Sequence, residues 1–129
     1  MTDAKHDDES TLIAIAHGSR NPAWRESIER QFEKVQEAVE STRVLVSYME
    51  LAPPTLMEAT KLAVRDGARR VRVLPLFLAA EGHVLRDIEP LVDELRRAFP
   101  SIEVELLRPL GQQPLFVDLL KSLVDDAIS

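Results

Sequence analysis

The sequence predicts an α/β fold, with a four-stranded, mainly parallel sheet and helices on both of its faces. Short apolar runs of strand length alternate four times with longer segments of helical period. No linker or low-complexity stretch interrupts this alternation. Strands that alternate with helices favour parallel pairing, because each helix carries the chain back across the sheet. The length of 129 residues, 45% of them hydrophobic, suits a single domain.

The first strand is predicted at residues 11–16, an apolar run that ends abruptly at His17. The first helix follows at residues 22–41. Asn21 suits its N-cap, and Pro22 suits the first helical position, where a missing N–H costs little. Apolar residues recur along this helix with a 3.6-residue period, which predicts one buried face. They are Ile28, Phe32, Val35 and Val39.

The second strand is predicted at residues 43–50, before a break at two consecutive prolines. Thr55 and Glu58 have the spacing of a capping box, which predicts the start of the second helix. That helix is expected to run to about Asp66, with Gly67 as its C-terminal stop.

The third strand is predicted at residues 70–78. Pro75 inside it removes a ladder donor, which predicts a bulge or a strand end at that point. A loop at residues 79–86 is expected next, and the third helix is expected to start at Asp87. Pro90 then falls in the first turn, where the missing N–H is tolerated.

The fourth strand is predicted at residues 102–107. Glu103 and Glu105 alternate with apolar residues there, which indicates an edge strand with one wet face. The last helix is predicted at residues 114–127 and is rich in leucine and valine. A sheet of only four strands, with apolar surface left exposed, would favour dimerisation.

Composition excludes several classes of function. The formal net charge of −6 disfavours general nucleic-acid binding. Without cysteine, a metal site must use nitrogen and oxygen ligands. No apolar segment approaches the roughly 20 residues of a membrane span. Residues 1–10 are predicted to be a flexible acidic tail, which lacks the apolar stretch of a signal peptide. We therefore expect a soluble cytoplasmic protein without membrane contact, whose single domain covers residues 11–129.

Three metal-capable side chains lie at or after the ends of three predicted strands. His17 and Glu50 are 33 residues apart, and so are Glu50 and His83. The carboxyl ends of parallel strands meet at one edge of a sheet, which is where open α/β folds bind ligands. Two imidazoles and one carboxylate leave coordination positions open, as a catalytic site requires, and suit Co²⁺, Fe²⁺, Ni²⁺ or Zn²⁺. His6 lies in the predicted tail and is a poor candidate.

Groups suited to anions lie beside the two histidines. Gly18 and Ser19 precede a helix N-terminus, whose backbone N–H groups attract negative charge. Arg20 and Arg86 follow their histidines by three residues and could pair with carboxylates. Arg25 is expected to be a solvated surface residue. Glycine-rich nucleotide motifs and the nucleophile elbow of hydrolases are missing from the sequence, so no nucleotide is expected.

Three segments resemble motifs of the small CbiX-type sirohydrochlorin chelatases, which belong to the class II chelatases. They are HGSRNPAW at residues 17–24, MELAPP at 49–54, and PLFL at 75–78 followed by GHVLRDI at 82–88. The resemblance covers about residues 11–123. Glu81 and the position of Pro90 depart from the usual pattern of the third motif.

The resemblance implies a chelatase-like, flavodoxin-like single lobe that pairs as a homodimer. It implies ATP-independent insertion of Co²⁺ or Fe²⁺ into sirohydrochlorin, on the way to cobalamin or sirohaem, with Ni²⁺ as a further candidate metal. His17 and His83 carry over as catalytic, metal-binding histidines, and Glu50 as the accompanying carboxylate. In this hypothesis a neutral histidine accepts a ring proton, and Arg20 and Arg86 orient the carboxylates of the tetrapyrrole.

Two other functions fit the same residues. A non-catalytic metal or tetrapyrrole carrier would share the ligands without accelerating metal insertion. An anion- or phosphate-binding enzyme that uses His17 and Arg20 would need neither a metal nor Glu50.

Overall fold

A computed structural model describes residues 9–79 and 82–129, including all of their side chains except those of residues 82–84. In these residues four parallel strands form one sheet in the order β2-β1-β3-β4. The strands are β1 (Ser10–Ala16), β2 (Arg43–Tyr48), β3 (Arg70–Pro75) and β4 (Glu103–Leu106). The predicted parallel α/β architecture is therefore confirmed, and β1 and β3 form its centre.

Helices connect the strands and follow the last one. They are α1 (Pro22–Ala38), α2 (Leu56–Arg65), α3 (Gly82–Ala98) and α4 (Pro114–Ile128), with a short 3-10 helix (Leu110–Gln112) before α4. Both predicted N-caps are confirmed. The Asn21 side chain accepts from the Ala23 amide, and Thr55 and Glu58 form a reciprocal capping box. These caps satisfy amide donors that the first turn of a helix leaves unpaired.

The main core lies between one face of the sheet and the helices α2 and α3. Ile13 of β1 and Val73 of β3 are register partners, and neither is exposed to solvent. The α3 side chains Ile88, Val92 and Leu95 belong to the same buried cluster, as their helical spacing predicts. Close packing of these side chains fixes the central strands and hence the positions of their carboxyl ends.

The opposite face of the sheet carries an apolar groove beside α1. Leu12 and Leu74 lie on this face, because they alternate with core residues along their strands. The groove has a volume of about 430 Å³. Its apolar lining consists of Leu12, Phe32, Val35, Val39, Val44 and Leu74. Among the described residues that line it, Arg72 is the only charged one.

The β4 edge of the sheet is polar, as its alternating sequence predicts. Arg70 lies 3.8 Å from Glu103, and Arg72 lies 3.1 Å from Glu105, each pair joining β3 to β4. All four side chains are substantially exposed, so each pair contributes at most a modest stabilisation. These charges disfavour pairing of the exposed edge strand with strands of other molecules.

Three strands are shorter than predicted. β4 spans only Glu103–Leu106, where residues 102–107 were predicted. β2 ends at Tyr48, so Glu50 lies in the following loop and not at the last strand position. β3 ends at Pro75, where the prediction extended the strand to residue 78. Proline lacks the N–H that would continue the ladder, and the expectation of a strand end at this residue is confirmed.

The predicted start of the third helix is wrong. α3 begins at Gly82, five residues before Asp87, so part of the expected loop at residues 79–86 is helical. Pro90 consequently lies inside the helix and not in its first turn. A proline there removes one main-chain hydrogen bond. Burial of the apolar face around Ile88 offsets this loss.

The structure also moves the N-terminal boundary of the domain. Ser10, placed in the N-terminal tail by the sequence, is the first residue of β1, pairs with Arg70 and is buried. The Glu9 carbonyl also accepts hydrogen bonds from the Arg69 and Arg70 amides, so pairing with the neighbouring strand extends the domain to this residue.

Helix α4 has no buried residue, although most of its residues are apolar. Seven of its large apolar side chains are between 46% and 78% exposed. They are Leu115, Val117, Leu119, Leu120, Leu123, Val124 and Ile128. In the described part of the chain, no helix combines the length and apolar character needed to cross a membrane. Exposed apolar surface of this extent is typical of sites that contact another molecule.

The capping box of α2 gives a test of local stability. Thr55→Ala should lower the free energy of unfolding by about 1 kcal/mol, because the Glu58 amide loses its side-chain acceptor. Urea denaturation followed by circular dichroism measures the change. Thr55→Ser keeps the acceptor oxygen and should match the wild type within a few tenths of a kcal/mol. Equal losses in both variants would contradict the assigned cap.

Candidate functional site

The ends of β1 and β2 bring His17 and Glu50 together through their backbones. The Met49 amide donates to the Ala16 carbonyl at 2.8 Å, and the Glu50 amide donates to the His17 carbonyl at 3.1 Å. Parallel pairing thus continues past the last strand residues. Both side chains are exposed at the carboxyl edge of the sheet, the position at which open α/β folds bind ligands.

Gly18 is required by the close approach of these two segments. Its φ is +109°, and a Cβ atom there would lie 1.8 Å from the Glu50 carbonyl oxygen. Any larger residue would push the two loops apart. Leu51, directly after Glu50, also has a positive φ of 70°, which is unusual for a branched side chain and costs backbone energy. The chain therefore turns sharply on both sides of the contact.

The loop around Glu50 is closed by main-chain hydrogen bonds. The Tyr48 amide donates to the Pro54 carbonyl at 2.9 Å, and Tyr48 forms an isolated bridge with Thr55. The loop therefore returns to the strand from which it leaves. Because both ends of the loop are tied to Tyr48, the Glu50 backbone is held near the end of β1.

The turn after His17 leads directly into α1. The Asn21 amide donates to the Ser19 Oγ at 3.0 Å, and the Arg25 guanidinium donates to the Ser19 carbonyl at 2.7 Å. Arg20 is exposed, as a residue that meets a ligand carboxylate should be. Arg25 is half-buried and bonded, so the expectation of a solvated side chain is wrong.

Phe77 is a site residue that the sequence reasoning missed. Its ring lies against the His17 imidazole, with 4.4 Å between ring centroids and a tilt of 53°. Phe77 is buried and lies two residues after β3. Its carbonyl accepts from the Gly111 amide, and a Cβ at Gly111 would lie 1.7 Å from the Leu78 carbonyl. The sequence feature that could have identified Phe77 is an aromatic residue just after the proline that ends β3.

Tyr48 forms a buried polar contact below the site. Its side chain is 1% exposed, and its hydroxyl donates to Glu29 Oε2 at 2.5 Å. Burial is the main cause that raises the pKa of Tyr48 above its usual value, and the Glu29 carboxylate raises it further. The nearby Arg25 charge opposes this shift. The Trp24 ring lies 6.3 Å from that of Tyr48, centroid to centroid, so Trp24 covers this contact while remaining partly exposed.

His83 is the second residue of α3 and so lies in the first turn of a helix, not in a loop after β3. Arg86 is exposed one turn further along the same helix. Among the side chains that the structure describes, no three His, Asp or Glu residues are grouped to hold a metal ion. The structure thus brings His17 and Glu50 together, and the participation of His83 stays a prediction.

Gly18 and Gly67 provide a matched pair for testing the loop contact. Gly18→Ala should weaken Co²⁺ binding at least tenfold, because a Cβ forces the Glu50 loop away from His17. Gly67 has a similar φ of +102° but no atom within 4 Å of an added Cβ. Gly67→Ala should cost about 1 kcal/mol of stability and leave Co²⁺ binding unchanged. Isothermal titration calorimetry measures the Co²⁺ affinity of each variant. Equal Co²⁺ affinities in the two variants would contradict the role of the contact.

Tyr48 is the only tyrosine of the chain, so its ionisation can be followed directly. Phenolate absorbance of the folded protein should rise only well above pH ~10, whereas the urea-unfolded protein should titrate near pH ~10. The folded state favours the neutral phenol. Its stability should therefore decline as the pH rises above the pKa of the unfolded state. A folded protein that titrates like the unfolded one would show that Tyr48 is not buried against Glu29.

Comparison with known proteins agrees with this fold. The family model CbiX matches residues 11–127. The sirohydrochlorin cobaltochelatase of Methanopyrus kandleri is 30% identical over 91% of this chain and 96% of its own. The chloroplastic sirohydrochlorin ferrochelatase of Arabidopsis thaliana is also 30% identical, over 95% of this chain but only 54% of its own. This chain therefore spans the whole of one relative and about half of the other.

Solved structures show the same fold. A cobalamin biosynthesis CbiX protein from Marinobacter aquaeolei VT8 superposes with a TM-score of 0.79 at 29% identity, covering 92% of this chain and 97% of its own. The sirohydrochlorin chelatase SirB from Bacillus subtilis subspecies spizizenii superposes with a TM-score of 0.77 at 24% identity, covering 92% of this chain and 50% of its own. The chain, which the family model matches over nearly its whole length, belongs to the CbiX family.

Proposed function

We propose that this protein is a sirohydrochlorin chelatase, which inserts Co²⁺ or Fe²⁺ into the tetrapyrrole without a nucleotide, in cobalamin or sirohaem biosynthesis. The backbone pairing of His17 with Glu50 at the open edge of the sheet carries the proposal. An imidazole and a carboxylate carried at this edge are groups that bind divalent metal ions, which supports the proposal. Full-length similarity to a named cobaltochelatase supports the same activity. The choice between the two metals and pathways is left to experiment.

The proposed metal site consists of His17, Glu50 and His83. Nitrogen and oxygen ligands suit Co²⁺ and Fe²⁺, and three protein ligands leave positions open for the incoming ring. The Phe77 ring limits the movement of His17 on one side. Because the metal ion is a substrate and must leave with the product, a partly exposed and incomplete ligand set is an advantage here.

Metal insertion releases two protons from the pyrrole nitrogens of the ring. A neutral imidazole can accept a proton and is the usual general base of enzymes. Glu50 balances the positive charge of the bound ion. Once the ion has moved to the ring, the ring nitrogens of His17 and His83 that held it are free, and they are the proposed proton acceptors. Arg20 and Arg86 are exposed, which suits them to bind peripheral carboxylates of sirohydrochlorin. The Gly18 and Ser19 backbone lies next to the N-terminus of α1, which adds attraction for anions.

We also propose that two copies form a homodimer through α4. The helix exposes a row of large apolar side chains, and burying each would contribute about 1.5–3 kcal/mol. The groove beside α1 has a mainly apolar lining, and in the proposed dimer α4 of one copy packs against the groove of the other. Arg72 at the groove complements the acidic residues of α4. Relatives of about twice this length support a paired arrangement. The cytoplasmic location stays a prediction.

Absorbance-monitored metallation tests the proposed activity. The protein should accelerate insertion of Co²⁺ or Fe²⁺ into sirohydrochlorin relative to metal and ring alone. His17→Ala and His83→Ala should each lower the rate at least about 100-fold, the usual contribution of a general base. His6→Ala changes the remaining histidine of the chain and should leave the metallation rate unchanged. Tight binding of metal or ring without acceleration would identify a carrier. Binding of inorganic phosphate that needs neither a metal nor Glu50, without metallation, would favour the anion-binding alternative.

Light scattering and cross-linking test the dimer. Leu120→Glu should shift the protein to a monomer, because the charge would have to be buried. Lys121→Glu introduces the same side chain at the next, already charged position and should leave the dimer intact. The natural chain has no cysteine. In a Val35→Cys/Leu120→Cys double variant, a short bismaleimide should therefore join two chains. A cross-link within one chain would instead show that α4 covers its own groove.

A further inference from the structure

The Arg25 side chain reaches back from the first turn of α1 to the loop that carries His17. Its Nη1 donates to the Ser19 carbonyl at 2.7 Å across a separation of six residues. The side chain is half-buried. A charged hydrogen bond in such surroundings is stronger than a neutral one and resists competition from water. This contact ties the loop to the helix that follows it.

The helix that carries Arg25 is itself anchored to the end of β2. Glu29, one turn further along α1, accepts the buried Tyr48 hydroxyl at 2.5 Å, and the Trp24 ring covers that of Tyr48. Tyr48 also begins the loop that contains Glu50. The first turns of α1 are therefore fixed to the same structure that positions Glu50. The Arg25 hydrogen bond fixes Ser19 relative to α1. The short turn between Ser19 and His17 extends this constraint to His17.

We propose that Arg25 is a positioning residue, whose hydrogen bond to the Ser19 carbonyl holds the loop of His17 at a fixed distance from Glu50. The consequence for catalysis rests on the chelatase function proposed above. Arg25 differs in this respect from Arg20, which is exposed and has no side-chain partner among the described residues. The Arg25 guanidinium already has an acceptor within the protein, so it orients the site without binding the substrate.

Two main-chain amides report directly on the position of the loop. The Glu50 amide is bonded to the His17 carbonyl, and the Asn21 amide is bonded to the Ser19 Oγ. Loss of the Arg25 contact should loosen both bonds while the core remains intact. Hydrogen exchange measured by NMR follows each amide separately, and this readout does not depend on any enzymatic activity.

The decisive experiment compares Arg25→Met with Arg30→Met, a change of an exposed arginine on the same helix. Arg25→Met should accelerate exchange at Glu50 and Asn21 at least tenfold and leave exchange in the buried strands unchanged. It should also lower kcat for metallation about tenfold or more with little change in KM, since small misplacements of reacting groups are costly. Arg25→Lys should recover part of kcat. Arg20→Met should instead raise KM.

The outcomes separate the two proposals. If the wild type does not metallate sirohydrochlorin, the chelatase function fails, and hydrogen exchange alone still judges the role of Arg25. If Arg25→Met matches Arg30→Met in exchange at Glu50 and Asn21, the positioning role is overturned. A uniform increase in exchange throughout the sheet, with kcat per folded molecule unchanged, would also overturn it, because Arg25 would then contribute only to general stability.

Discussion

The contact between the Gly18 backbone and the Glu50 carbonyl sets the geometry of the whole site. The two loops can approach this closely only because position 18 has no side chain. The Glu50 amide and the His17 carbonyl then extend the parallel ladder beyond its strands. An imidazole and a carboxylate, 33 residues apart in the chain, are thereby presented from adjacent backbones. Rigid strand ends support them, which is the condition for a preorganised site.

Supporting contacts surround this central one on both sides. Phe77 packs against the His17 ring from the end of β3 and is itself held by the segment around Gly111. On the other side, Arg25 holds the Ser19 carbonyl and Tyr48 anchors α1. The site therefore depends on β1, β2 and β3, and side chains that touch no ligand determine where His17 lies. Such supporting residues commonly decide how accurately reactive groups are placed.

The exposed apolar surface of α4 is a second constraint on the fold, because such surface is stabilised when it is covered. A sheet of four strands buries one face well, under α2 and α3, but α1 leaves a groove on the other. The chain carries both an uncovered groove and an uncovered apolar helix. Exposed apolar surface of this extent is uncommon in monomers. This chain covers 54% of the Arabidopsis relative, and the homodimer proposed above would cover both apolar surfaces.

The sequence by itself determined the parallel α/β class, the two N-caps and the positions of His17 and Glu50 near strand ends, because periodicity and capping are local properties. Tertiary structure decided the rest. The start of α3 depends on packing that tolerates Pro90 in a helix. The roles of Phe77 and Arg25 depend on contacts between distant segments. No local pattern marks an arginine that will be half-buried, or a glycine that will meet a carbonyl from another strand, since both follow from how the loops meet.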